Sequence, residues 1–316
     1  MWLAPHGPAG PPLPRLPLAF EPFLYLRPAH LALAPFPAPG LSAYLEDLAA
    51  GRTLAQLHLS FEAATGLARS PAQAPFGAVQ LAPGLGRAAV HLLLDAVEAE
   101  LRGLGLARLA LRGYPFAYDP AGAATLAEVL RQRGYRVVLA EQNYHLDPAR
   151  AFEAHLYPSE RRRLHKCRRA GLFFEQEPAY LLPRAYEFIR QCRQERGQTL
   201  SLPLERVQAL FQAFPREHFL FSVREPGGEW TALTVAIQVN EQVLYNFYPA
   251  SPLCCNSLSP VVLLNEGLHA FARASGMAVL DLGTSTLAGG PNTTLLRFKR
   301  HLGGVAGLRL SWERAL

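Results

Sequence analysis

The densest chemistry in the sequence lies in one short run, Ser159 to Gly171 (SERRRLHKCRRAG), which sets Arg161, Arg162, Arg163, His165, Lys166, Arg168 and Arg169 against a single Glu160. On a helix, spacings of three and four bring such side chains onto neighbouring faces, where like charges repel one another and invite an anion. Arg161, Arg162, Lys166 and Arg169 are therefore candidate anion-binding residues, for a phosphorylated ligand or a nucleic acid. The plainer reading is a solvated surface helix. A second basic group, Arg297, Lys299 and Arg300, falls on a short predicted helix stopped by Gly303-Gly304. It suits an anionic ligand, or simply the negative end of the helix dipole. Asp281 closes an apolar strand and is followed by Gly283, Thr284 and Ser285. A carboxylate at the carboxyl end of a strand can act as a general base or hold an amine, and it can equally accept the N–H groups of the turn. Along Val243 to Tyr248 side chains alternate, so Asn246 and Tyr248 share one face and Tyr245 takes the other.

Other chemistries lack their patterns. Cys167, Cys192, Cys254 and Cys255 have no Cys-x-x-Cys spacing, and the adjacent pair is poorly shaped for a mutual disulfide, so a reducing compartment fits. Histidines and carboxylates form no spaced metal set, and no Gly-x-Ser-x-Gly elbow supports a serine nucleophile. Ser259 before Pro260 reads as a helix cap followed by proline at the first helical position.

The elements that must position these groups follow from periodicity. Residues 1 to 17 carry six prolines and read as an extended or loose arm. A short helix is expected from Tyr44 to Leu57, then strands at Gln56 to Glu62 and Phe76 to Leu81. A long helix starts near Arg87, with Val90, Leu93, Leu94, Val97 and Leu101 on one face and Gly103 and Gly105 at its end. A strand (Ala107 to Leu111), a helix (Ala123 to Arg133) and a strand (Tyr135 to Leu146) follow. After the basic helix come a strand at Leu172 to Glu175 and a helix at Arg184 to Arg196. Then the order repeats: strands at Phe219 to Val223, Trp230 to Val239 and Val243 to Tyr248, a helix at Ser259 to Ser275, a strand at Ala278 to Leu282, a helix at Thr294 to His301 and a last strand at Gly307 to Glu313. The matching order points to a duplicated domain, residues 1–150 and 151–316. The 316 residues, half of them hydrophobic and 18% charged, suffice for two cores. The net charge of +6 favours an anionic partner. No apolar run spans a bilayer and the start of the chain lacks a signal-peptide core, so a cytoplasmic protein is expected.

Four stretches carry a resemblance. Ser159 to Gly171, Val279 to Ser285 (VLDLGTS), Leu296 to Gly303 (LRFKRHLG) and Asn143 to Leu146 (NYHL) are similar to elements of FemAB-like and BioF2-like acyltransferases of the GNAT superfamily. The resemblance implies an α/β fold of tandem GNAT-like domains, each a mixed, mostly antiparallel sheet flanked by helices. It implies direct transfer of an activated acyl or aminoacyl group to an amine on a small molecule or peptide. A strand polarises the acyl carbonyl, Tyr248 and Asp281 stand near the reaction centre, and Arg297, Lys299, Arg300, Asn246 and Ser285 hold the donor. Two departures accompany it. The stretch Pro249 to Pro260 (PASPLCCNSLSP) has no glycine where acetyl-CoA-using relatives bind the pyrophosphate on backbone amides, so acyl-CoA is a possible donor whose motif is missing. Gly84-Leu85-Gly86-Arg87 offers only a lone Gly-x-Gly in the first half, and no charged coiled-coil arm is present. The rival expectation is a non-catalytic tandem protein that binds nucleic acid or a phosphorylated ligand through its basic helix.

Overall fold

The computed structural model describes residues 1–7, 10–33, 39–287 and 290–316. Two compact units emerge: Met1–Gln142 with Gly307–Leu316, and Asn143–Ala306. In chain order the first holds β1 (Trp2–Pro5), α1 (Pro28–Leu31), β2 (Gly40–Asp47), β3 (Arg52–Glu62), β4 (Leu67–Ser70), β5 (Gln80–Leu81), α2 (Arg87–Gly103), β6 (Arg108–Arg112), α3 (Pro120–Gln132) and most of β7 (Arg136–Leu146). The second holds the end of β7, α4 (Phe152–His155), α5 (Pro158–Arg169), β8 (Phe173–Glu177), α6 (Leu182–Gln194), α7 (Leu204–Ala213), β9 (His218–Arg224), β10 (Trp230–Asn240), β11 (Val243–Asn246), α8 (Val261–Ala274), β12 (Val279–Thr284), the short pair β13 (Thr286–Leu287) and β14 (Gly290–Pro291), and α9 (Thr293–His301). The last strand, β15 (Val305–Ala315), returns from residue 307 onward to the first unit. The chain thus divides inside β7 rather than at the 150/151 boundary expected from sequence. The reason is that Asn143–Leu146 pairs with β12 of the second unit, whereas Ser311–Ala315 pairs with β6 of the first.

Within the first unit the strand order is β1-β2-β3-β4-β6-β15, and within the second it is β8-β9-β10-β11-β12-β7. Every junction is antiparallel except one in each, β4 with β6 and β11 with β12, which are parallel and joined by the long helices α2 and α8. A parallel pair needs such a crossover, and the matching position of that single parallel junction bears out the duplicated order. The apolar side of the first sheet meets α2 through Val90, Leu93, Leu94, Val97 and Leu101, all fully buried, as their spacing predicted. In the second unit Val262, Leu264 and Leu268 of α8 and Leu164 of α5 close a core over Phe221, Ala232, Leu244 and Leu280. Gly267 lets α8 lie flat there: a Cβ at that position would stand 2.1 Å from the Phe174 ring.

Three expectations are corrected. The helix expected at Tyr44 to Leu57 is instead the β2–β3 hairpin, because its apolar residues alternate, and Asp47 accepts the N–H groups of Ala49 and Ala50 to make the turn. The proline-rich arm is anchored: β1 pairs with β2, Tyr44 donates to the Pro12 carbonyl at 2.7 Å and Arg15 pairs with Glu46. Ser259 is not a cap. It takes a left-handed conformation (φ 58°), and α8 starts two residues later with Pro260 before it. The helix α7 was not foreseen, although Val207, Leu210 and Phe211 carry its buried face. Strand β4, the short helices α1 and α4 and the β13–β14 pair were not foreseen either, whereas the other expected elements stand within a few residues of their bounds. Among the described residues no helix is long and apolar enough to cross a membrane.

Candidate active site

Strands β11 and β12 pair only from Val243 with Val279 to Tyr245 with Asp281. Beyond that point β11 turns aside, since the amides of Phe247 and Tyr248 both go to the Val235 carbonyl of β10, while β12 runs on to Thr284. The parting is helped by Gly283, which has φ 73° and whose Cβ would press at 3.1 Å on the Tyr245 ring. Into this gap opens a cavity of about 970 Å³, walled by Tyr245 to Phe247 on one side and Leu282 to Thr286 on the other, with α9 residues Arg297 to Lys299 across it. The corresponding end of the first unit is filled. There Gly77 donates to the Arg112 carbonyl at 2.8 Å and Ala78 to Ser70 Oγ at 2.9 Å, while Phe23, Tyr25, Phe76 and Tyr114 pack edge-on and buried.

Lys299 is the pivot of the cavity. Only 5% exposed, its Nζ donates at 2.8 Å to the carbonyls of both Gly283 and Thr284, the two residues at the split. Burial lowers its pKa to about 8, with the nearby Asp281 charge resisting the shift and Arg193 adding to it. An ammonium has three N–H bonds and two are spent, so one remains for the cavity that Lys299 lines. Asp281 stands behind this wall and does not line the cavity. It accepts from Asn143 Nδ2 at 2.8 Å and from the Gly283 amide at 2.7 Å, and so fixes the turn that carries the two carbonyls. Tyr248 also turns away: its hydroxyl meets Ser201 Oγ at 2.5 Å and accepts from the Leu202 amide at 3.1 Å. The strand no longer alternates past Asn246, so the face shared on paper by Asn246 and Tyr248 is not shared in space.

Asn246 and Ser285 both line the cavity. Asn246 takes a hydrogen bond from Thr234 at 2.7 Å and gives one to Asn265 of α8 at 3.3 Å, which ties the wall to the helix. Ser285 is buried, and its Oγ has no partner among the described residues. Arg297 is exposed at the cavity, whereas Arg300 lies outside the lining. Of the basic helix, Arg161 caps the Glu153 carbonyl, Lys166 donates to the Ser257 carbonyl and Arg168 pairs with Glu153 and Glu266, leaving Arg162 and Arg169 exposed and without an ion pair among the described residues. Its Arg163 lines the cavity with Glu160, which it grips at 2.9 Å through both carboxylate oxygens. Two further cavity cations escaped sequence reasoning, Arg193 of α6 and Arg196 just beyond its end. Arg193 donates to Gln198 and to the Pro249 carbonyl, and burial holds its pKa below the usual arginine value. No local motif marks either residue, since the packing of α6 beside the chain after β11 brings them in. The lining therefore holds Arg163, Arg193, Arg196, Arg297 and Lys299 against the single carboxylate of Glu160, and favours an anionic ligand.

The turn before α8 does not fit a coenzyme A pyrophosphate. The amides of Leu258 and Ser259 go to the Cys255 carbonyl, that of Val262 to Ser259 and that of Leu264 to Pro260, so no open run of donors remains at the helix start.

No family model and no curated protein matches the sequence. Solved structures do. FemX aligns over 84% of this chain and 86% of its own with a TM-score of 0.64 at 11% identity. A domain described as the C-terminal part of a lysylphosphatidylglycerol synthetase from Agrobacterium fabrum aligns over 86% and 84% with a TM-score of 0.53 at 14% identity. L-PGS from Bacillus licheniformis aligns over the same shares, 86% and 84%, with a TM-score of 0.54 at 11% identity. With the strand order and the split parallel pair of the second unit, these likenesses show that the chain shares the fold of FemX.

Proposed function

We propose that the second unit is an N-acyltransferase which passes an activated acyl or aminoacyl group from an anionic carrier directly to an amine. The observation that carries this reading is the parting of β11 and β12 beyond Tyr245 and Asp281, with the Lys299 ammonium pinned at the split. The amine attacks the acyl carbonyl, the carbonyl oxygen gathers negative charge, and the remaining N–H of Lys299 donates to that oxygen. Collapse of the adduct breaks the bond between the acyl carbon and the carrier, and the proton given up by the amine passes to the departing oxygen or sulfur of the carrier. Such chemistry depends on orientation and on donors already aimed at the developing charge, and a low-dielectric setting strengthens both. Arg193, Arg196 and Arg297 suit the charge of the carrier. Because the turn before α8 offers no amide nest, side-chain cations take that task, which supports a carrier other than coenzyme A. The lysylphosphatidylglycerol synthetase domain among the structural neighbours fits an aminoacyl cargo.

The test is transfer of a radiolabelled acyl group from aminoacyl-tRNA or acyl-CoA to a panel of amines by the full chain. Lys299→Met is expected to lower the rate about 100-fold, the usual effect of losing one donor to an oxyanion, with donor binding retained. Transfer by the variant at the wild-type rate would sink the reading. A second reading, binding of nucleic acid through α5 without catalysis, is favoured by the unpaired Arg162 and Arg169. It predicts RNA binding that weakens steeply with salt in a chain inert towards every donor.

A further inference from the structure

On the face of the first unit's sheet away from its apolar core, strand register gathers three arginines. Ala68 of β4, Leu109 and Leu111 of β6, and Leu310 and Trp312 of β15 all face the core. The alternating residues Arg69, Arg112, Arg309 and Ser311 therefore lie on the opposite face. Pairing sets Arg69 beside Ala110 and puts Arg112 directly across from Ser311. Two of the arginines have carboxylates: Arg69 meets Glu62, and Arg309 forks onto the buried Glu141 at 2.6 and 3.0 Å. Arg112 has neither an ion pair nor a hydrogen bond of its guanidinium among the described residues, so three cations face two anions. Two more polar atoms of this face, Arg69 Nε and Ser311 Oγ, are buried without a partner among the described residues. Loss of surrounding water and the charges of Arg309 and Arg69 hold the Arg112 pKa below its ordinary value, with Glu141 only partly offsetting them. A cation set among other cations in this way is unfavourable until an anion joins it, and a guanidinium fork matches phosphate or carboxylate oxygens.

We propose that Arg69, Arg112, Arg309 and Ser311 form a second anion site, in the first unit, for a ligand bearing a phosphate or carboxylate group. Arg112 and the Ser311 hydroxyl supply its free donors, and Arg69 Nε adds a third. The site is independent of the acyl-transfer cavity, whose residues all lie in the second unit. Its occupant is a small anion, since Arg309 spends its donors on Glu141 and the Pro75 carbonyl and Arg69 already holds Glu62.

Titration calorimetry on the full chain at constant ionic strength tests this with inorganic phosphate and with malonate. Arg112→Gln is expected to weaken binding of the preferred probe about tenfold, the worth of one charge-assisted hydrogen bond, and Ser311→Ala to weaken it less. Arg297→Gln, in the other unit, is expected to remove only heat that arises in the acyl-transfer cavity and to leave the Arg112-dependent component unchanged. Preference for phosphate assigns a phosphate-bearing ligand, and preference for malonate a carboxylate. Binding that falls in Arg297→Gln but not in Arg112→Gln overturns the proposal, as does the absence of binding by either probe. Should Arg112→Gln fail to fold, Ser311→Ala decides by the same criterion.

Discussion

Lys299 joins stability and chemistry in one side chain, and the two respond to pH in opposite directions. Its folded pKa is about 8, below the unfolded value of 10.5, so between these values the unfolded chain binds more protons and stability rises with pH. Below pH 8 the full burial cost of the charge, roughly 3 kcal/mol, weighs on the fold. Urea unfolding of the wild type and Lys299→Met at pH 7 and pH 10.5 is expected to show the wild type gaining on the variant by about that amount. A constant gap between the two proteins would mean that Lys299 titrates normally. The catalytic advantage of the wild type over Lys299→Met should run the other way and shrink above pH 8, as the ammonium that faces the carbonyl oxygen is lost. Asp281 belongs to the same balance. It is a positioning residue, since it holds the Gly283 turn and supports the Lys299 charge without lining the cavity.

At the scale of elements, α8 and β12 set the width of the slot. Helix α8 is held against β8 by the bare backbone of Gly267, where Phe174 stacks on Phe221 at 5.3 Å. Alanine is the better helix former by roughly 0.5–1 kcal/mol, yet its methyl group would drive into the Phe174 ring. Gly267→Ala is therefore expected to destabilise the protein by about 1–3 kcal/mol, read from the denaturation midpoint, because overpacking outweighs propensity here. An unchanged or higher midpoint would mean that the ring yields freely. The edge strand β8 has its own anchor. Glu177 is buried and receives Ser222, Arg224 and the Trp230 indole N–H, so β8, β9 and β10 share one carboxylate.

For the molecule as a whole, the consequential feature is the course of the chain through its two units. The first unit takes its last strand from the end of the sequence, with Trp312 in its core and Arg314 on the buried Glu98, which also receives Arg133 and the Tyr135 hydroxyl. A chain ending at Ala306 strips β6 of its antiparallel partner and leaves Glu98 one cation short. Hydrogen exchange on that truncated chain is expected to reveal loss of protection in β6 and α2, while α8 and β12 keep theirs. Equal loss in both units would mean that they fold as one cooperative block.

Local pattern determined much of this protein. The three-and-four spacing of α2, the alternation of β10 and the repeated order of elements follow from side-chain periodicity, which is a property of neighbours along the chain. The basic run of α5, Lys299 and the missing glycine turn were legible for the same reason. The helical expectation misjudged Tyr44 to Leu57, where short apolar spacings suit helix and strand alike. Only the tertiary structure decided that Lys299 is buried at the split and that Asp281 and Tyr248 turn from the cavity. It also drew Arg193 and Arg196 into the lining and filled the first unit's equivalent end with aromatic rings. Each of these rests on contacts between residues distant in sequence, whose geometry no run of neighbours contains.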